Sequence, residues 1–300
     1  MAAVMDLGTN TFHLIIAEIS GKEIEILYKT NLPVKLGEGK INENIIIPAA
    51  FRRGIEALRT FKDQIISHDA KIVRAIATSA IRSASNGNEF VKAADTDAGI
   101  SIEVIDGDQE AEYIYKGVLA TGLIEQTSLI MDIGGGSTEF IVCNQERQLW
   151  KKSYNIGAAR LQQAYFNSDP ISANDQLAIK NRLDEELKDL KIACEKYQPL
   201  NLIGSAGAFE TFAGMIYENL NIKEFKSANI DINAYQELSL RFIKSTHQER
   251  VTFKGLIPLR VDMIVIASLI TNYVLGIADF QKMSVSTYDL KMGVLSSIQA

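Results

Sequence analysis

The chain has 300 residues, 47% of them apolar and 23% charged, the balance of a folded globular protein of about two domains. That composition excludes a disordered chain, a collagen-like repeat and a disulfide scaffold. Its 31 basic and 37 acidic side chains leave a net charge of −6, so neither nucleic acid nor an anionic membrane is an expected partner. Cys143 and Cys194 form no C-x-x-C pattern and are expected as free thiols without a structural zinc. Asp6 interrupts the first apolar run, and the most apolar later stretch, 263–275, is too short for a bilayer and carries Ser268, Thr271 and Asn272. A cytoplasmic protein is expected.

In chain order, strands are predicted over 2–5 and 14–19 around a polar turn, with a third over 23–29. Pro48 sits where a helix begins, and Phe51, Ile55, Leu58, Phe61 and Ile65 then recur on one helical face. Buried strands are expected over 72–77 and 100–105, with a helix around 89–94 between them. Asp108 is placed to cap a helix carrying Ala111, Tyr115 and Val118 on one side. At Ser128 the pattern starts again, with a strand over 129–133, a Gly-rich turn, and strands over 140–143 and 149–154. One long charged helix is predicted over 172–197, presenting Leu177, Ile179, Leu183, Leu187 and Leu190 to the core, and then a strand over 201–204 that runs into another helix. This alternation predicts an α/β protein. The expected division lies near 125–127, giving domains 1–125 and 126–300, with the C-terminal helix free to pack back on the first domain.

The restart is an internal duplication. MDLGTNTFHL from Met5 and MDIGGGSTEF from Met131 share a strand, an Asp, a Gly, a small polar turn and a returning strand. Two such copies predict two similar domains facing each other across a cleft. Gly8, Gly134, Gly135 and Gly136 permit positive φ and close backbone approach. Successive N–H groups in such a turn converge on an anion, and Thr9, Asn10, Thr11, Ser137 and Thr138 add side-chain donors. Asp6 and Asp132 repel phosphate directly, but each can hold Mg²⁺ through water, and the metal then screens the phosphate. The same residues also suit plain hairpin turns.

DLGTNTFHL at Asp6, ATSAIRSASNG at Ala77, IDGDQEAEYIYKGV at Ile105, MDIGGGSTEF at Met131 and NIGAARL at Asn155 together resemble the exopolyphosphatase/guanosine pentaphosphate phosphohydrolase family of the actin-like superfamily. The motifs run in the family's order from Asp6 to about Gly214. The resemblance implies two actin-like (ribonuclease H-like) α/β domains across a cleft. It also implies hydrolysis of a terminal phosphoanhydride of polyphosphate or pppGpp, with Mg²⁺ as cofactor.

By that resemblance Glu110 matches the general base, and Asp132 and Glu139 match acidic positions near Mg²⁺ and the attacking water. A carboxylate in a first helical turn also suits the helix dipole, and Glu139 opening a strand also suits a solvated edge. Asp108 and Glu112 make the field around Glu110 negative, a setting that favours a protonated carboxyl. Arg82 matches a phosphate contact, where a guanidinium can clamp two oxygens, although a surface Arg reads the same way. Lys35 stands where the family more often has Arg, and Arg160 is a weaker candidate for the same cleft. Gly204-Ser205-Ala206-Gly207 could present N–H groups to an anion or be a plain βα turn. Near the C-terminus, Asp289, Lys291 and Met292 replace the family's Gly and Arg-Glu pair.

His13, His68 and His247 form no metal motif, and His13 reads as a packed core residue. No G-x-x-x-x-G-K-[ST] and no G-x-S-x-G occurs. A kinase or ATPase of the same superfamily, and a catalytically weak (p)ppGpp-binding protein, stand as rival readings. The expected partner is the phosphate substrate, with room for a homodimer.

Overall fold

The computed structural model describes residues 1–21, 23–205, 207–218 and 221–298. They form two compact units that divide after Gly117, and the chain from Leu290 onward belongs again to the first. The sequence-based division at residue 125 falls in the connection between the last helix of the first repeat and the first strand of the second.

The first unit opens with a meander of β1 (Ala2–Leu7), β2 (Thr11–Ser20) and β3 (Glu23–Pro33). There follow α1 (Pro48–Ser67), β4 (Ile72–Ala77), the short α2 (Ser79–Ser83), α3 (Gly87–Ala98), β5 (Ile102–Val104) and α4 (Gly107–Leu119). The sheet order is β3-β2-β1-β4-β5, with β1–β3 antiparallel and β4 and β5 parallel to β1. Pro48 occupies the start of α1, where its missing N–H is not needed. Ile55, Leu58, Phe61 and Ile65 of that helix pack on Met5, Leu7, Leu14 and Ile16, the core face of the sheet. The cap of α4 is Asp106 rather than Asp108. Its Oδ1 accepts from the Gln109 N–H at 2.8 Å, and Gln109 Oε1 accepts from the Asp106 N–H at 3.2 Å.

The second unit repeats the plan. β6 (Ser128–Ile133), β7 (Thr138–Cys143) and β8 (Gln148–Tyr154) form the meander, followed by α5 (Ala158–Tyr165), α6 (Ala173–Glu186), α7 (Lys188–Tyr197), β9 (Asn201–Ser205) and α8 (Gly207–Ile216). The remainder is β10 (Ser227–Ile230), α9 (Ile232–Lys244), α10 (His247–Val251), α11 (Ile264–Leu275) and β11 (Lys282–Ser286), after which α12 (Leu290–Ile298) completes the first unit. The sheet order is β10-β11-β9-β6-β7-β8. Apart from the edge strand β10 it repeats the first sheet, with β8-β7-β6-β9-β11 standing for β3-β2-β1-β4-β5. A three-stranded meander extended by two parallel strands is the ribonuclease H-like arrangement of actin-like domains, as expected.

The long helix expected over 172–197 is two helices. The backbone bends at Leu187 (φ −94°, ψ 22°) without proline. Leu183, Leu187 and Leu190 keep a helical spacing through the bend and are all buried, so the pattern carries no trace of it. Leu177 is 55% exposed and does not belong to the core stripe. Both cysteines are free and buried, and burial pushes each thiol up to about 12. Among the described residues no helix is long and apolar enough to cross a membrane.

Gly204 lies inside β9, paired with Met131 of β6 and Val285 of β11, and a Cβ built on it would fall 1.8 Å from Phe209 Cγ. Its smallness lets α8 close on the sheet. Gly204→Ala should therefore lower the unfolding free energy by about 1–3 kcal/mol in chemical denaturation. A variant as stable as the parent would show that Phe209 has room to move.

Candidate active site

Each unit carries the same strand–turn–strand device. The Gly8 N–H donates to Thr11 O at 3.2 Å, and the Gly134 N–H donates to Ser137 O at 3.0 Å. A Cβ on either glycine would stand 3.0 Å from that same carbonyl. None of Gly8, Gly134, Gly135 and Gly136 adopts positive φ, so close approach rather than left-handed backbone requires the two closing glycines.

The segment after the third strand then docks on each turn. In the first unit, Val34 and Lys35 donate their N–H groups to Asn10 O, and the Gly37 N–H reaches Thr9 O at 3.2 Å. In the second, Ala158 donates to Gly134 O, Ala159 and Arg160 to Gly135 O, and Gly157 to Gly136 O. Gly157 is obligatory, because a Cβ would lie 2.5 Å from the Gly135 and Gly136 backbone. Two of the proposed ligand donors also bond to the scaffold here. The Thr138 hydroxyl donates to Ile156 O at 3.2 Å, and Arg160 Nε donates to Gly136 O at 3.2 Å. Thr9 and Ser137 are buried, Asn10 and Thr11 half-buried. Lys35 is exposed, with φ +52°.

Pairing across the second sheet aligns Ser286, Ser205, Asp132, Glu139 and Ser153 at one level on five adjacent strands. These side chains share the face opposite the one that Met131, Ile133, Phe140 and Leu202 present to the core. Glu139 is 1% exposed on an internal strand and accepts from Ser153 Oγ at 2.6 Å, which corrects the edge reading. The buried Ser205 hydroxyl makes no hydrogen bond among the described residues. Ala206 lies outside them. Beside this row stands Arg260, a residue without a sequence signal. Its guanidinium packs on Gly207 (φ +48°) at the start of α8. Burial holds its pKa below the ordinary arginine value, against the opposing pull of Glu210 and Asp132.

The first unit brings Arg82 and Glu110 together. Arg82 Nη1 donates to Glu110 Oε2 at 2.9 Å and to Ile105 O at 3.0 Å, joining α2 to the first turn of α4. Glu110 is 7% exposed. Its field is thus not purely acidic as expected, since Arg82 faces it and Glu112 pairs with Lys116 at 2.8 Å. The equivalent row on this sheet reads Asn31, His13, Asp6, Ile76 and Glu103. His13 is half-buried beside Asp6 rather than in the core.

The two turns differ as cation sites. No group of three or more His, Cys, Asp or Glu among the described residues could by itself hold a metal. Asp132 and Glu139, in register on neighbouring strands beside the unpartnered Ser205 hydroxyl, make a two-carboxylate set. That suits Mg²⁺, which keeps waters and shares substrate phosphates. At the first turn Lys291 Nζ lies 3.8 Å from Asp6 Oδ2 instead.

The sequence profile of the Ppx/GppA phosphatase family matches residues 15–300. The chain belongs to that family. The crystal structure of an exopolyphosphatase from Cytophaga hutchinsonii is 36% identical, with a TM-score of 0.96 over 99% of this chain and 97% of that one. The Aquifex aeolicus PPX-GPPA enzyme is 25% identical, with a TM-score of 0.82 over 99% and 98% of the two chains. A guanosine-5'-triphosphate,3'-diphosphate pyrophosphatase of Aeromonas hydrophila is 28% identical over 98% of this chain but only 57% of its own length.

Arg260 offers a fixed positive charge at a helix N-terminus, beside donors that suit an anion. Arg260→Met should weaken the binding of inorganic tripolyphosphate roughly 10–100-fold in calorimetric titration. Unchanged affinity would make Arg260 a packing residue only.

Proposed function

We propose that this member of the Ppx/GppA family hydrolyses a terminal phosphoanhydride of inorganic polyphosphate or of a guanosine pentaphosphate-type nucleotide. The observation that carries the reading is the Arg82–Glu110 pair. A carboxylate in the first turn of a helix, 2.9 Å from a guanidinium, combines a proton acceptor with an oxyanion clamp in one place. The similarity to a Cytophaga exopolyphosphatase and to an Aeromonas guanosine-5'-triphosphate,3'-diphosphate pyrophosphatase supports the two substrate classes.

In this mechanism a terminal phosphate competes with Glu110 for Arg82. As the guanidinium turns to the phosphate oxygens, the Glu110 carboxylate is released to a water molecule. The water oxygen attacks phosphorus, its proton passes to Glu110, and the bond from phosphorus to the bridging oxygen breaks. The shortened chain departs with that oxygen. Within the second unit, Asp132 and Glu139 would hold Mg²⁺, which when bound would supply positive charge that neutralises phosphate oxygens. In the same unit, the Ser205 hydroxyl, the second turn and the Arg260 guanidinium offer donors and a positive charge that suit a phosphate.

Phosphate release from tripolyphosphate, long polyphosphate, pppGpp and ATP, with and without Mg²⁺, tests the proposal. Turnover of the first three is expected. Turnover of ATP alone would support the kinase or ATPase reading, and binding without release would support a (p)ppGpp sensor.

Glu110→Gln keeps size and hydrogen bonding but removes proton acceptance. Turnover should fall roughly 10²–10⁴-fold while tripolyphosphate still binds. Near-normal turnover would remove Glu110 from the mechanism.

Asp132→Asn should raise the Mg²⁺ concentration needed for half-maximal phosphate release, because one of two carboxylates is lost. If chelator leaves the parent's activity intact, the metal assignment fails.

A long polyanion needs many cations along its path, and each contact adds salt dependence. The chain has a net charge of −6, and its candidate phosphate donors are confined to short motifs, the two turns, Arg82 and Arg260. Short polyphosphates should therefore be used at least as efficiently as long ones in kcat/KM per chain. Efficiency that rises steeply with length and collapses in salt would reveal an extended basic track.

A further inference from the structure

The duplicated turns are matched in backbone but not in charge. At the second turn, Asp132 faces Glu139 across the strand pair, and both are carboxylates. At the first, Asp6 faces His13, and the Lys291 ammonium stands 3.8 Å from Asp6 Oδ2. The two side chains of that ion pair are only 15% and 20% exposed, so water screens their attraction little.

The helix that delivers Lys291 is firmly held. α12 lies against α4 so closely that a Cβ on Gly293 would fall 1.8 Å from Tyr113 O. Leu290, Met292, Val294 and Leu295 are all buried. With its helix so anchored, Lys291 presents a positive charge beside Asp6. A divalent cation entering there would meet one carboxylate already balanced by an ammonium, a donor set that does not fit it.

We propose that Lys291 is the built-in counter-ion of Asp6, taking at the first turn the place that a divalent cation takes at the second, so that the chain binds metal at Asp132 and Glu139 alone. The inference rests on the reading that the second turn holds a divalent cation. It makes Lys291 a positioning residue, acting through Asp6.

The test is a titration of the full chain with Mn²⁺, with free metal followed by electron paramagnetic resonance. In the parent background, Asp6→Asn should leave Mn²⁺ affinity within about twofold, whereas Asp132→Asn should weaken it roughly tenfold or more. Lys291→Met should gain a second Mn²⁺ per chain, and Asp6→Asn added to Lys291→Met should remove it. Lys291→Arg, which keeps the charge, should bind Mn²⁺ like the parent. Lys291→Gln serves in place of Lys291→Met if the latter fails to fold, as judged by its thermal melt.

Two results would overturn the proposal: no added site in the charge-removing variants, or Asp6→Asn weakening the parent as much as Asp132→Asn. A parent that binds no Mn²⁺ removes the metal assignment of the second turn, and the proposal's claim of binding there, with it. A parent that binds Mn²⁺ yet releases no phosphate fails the hydrolase reading alone, because none of the metal counts depends on turnover.

Discussion

Both units depend on a backbone that approaches itself closely at a glycine. A glycine N–H closes a short turn onto a carbonyl three residues later, and the segment after the third strand then settles on the turn's own carbonyls. Once those carbonyls are occupied, the turn has little freedom left. Its shape is set by hydrogen bonds to the scaffold rather than to any ligand, which is the preorganisation that an anion-binding loop needs. The Thr138 hydroxyl and the Arg160 guanidinium serve this docking, although as isolated residues both look like ligand donors.

The common backbone carries different chemistry in the two halves. The second sheet runs a polar row through five strands and places two carboxylates side by side within it. The first sheet keeps one carboxylate at the equivalent level and sets a histidine beside it. Its proton-transfer candidate lies elsewhere, at the start of α4, where Arg82 meets Glu110. The two halves thus share a frame but differ in its polar positions.

Arg250 shows how a buried charge can belong to the scaffold. It is 1% exposed, yet its guanidinium donates to Val261 O and Ser245 O and pairs with Asp169. Each of its three nitrogens has a partner within the second unit, so the residue ties α10 to the segments around it. Arg260, ten residues on, instead lies at a helix start among groups suited to an anion. Residue type alone does not separate the two; the partners do.

The amino-acid sequence by itself determined the α/β class, the two meanders, the start of α1 at Pro48 and the repeat at Asp6 and Asp132, because those signals are periods and turns within about a dozen residues. It also carried the motifs that mark the family. It did not reveal the bend at Leu187, since the apolar spacing runs through it unbroken, nor the cap at Asp106, which is a side-chain choice between two neighbouring aspartates. Only the tertiary structure decided which charges meet. Arg82 reaches Glu110 because β4 and β5 are adjacent parallel strands, and Lys291 reaches Asp6 because the end of the chain returns to β1. Those meetings depend on strand order and helix docking, which bring together residues far apart along the chain.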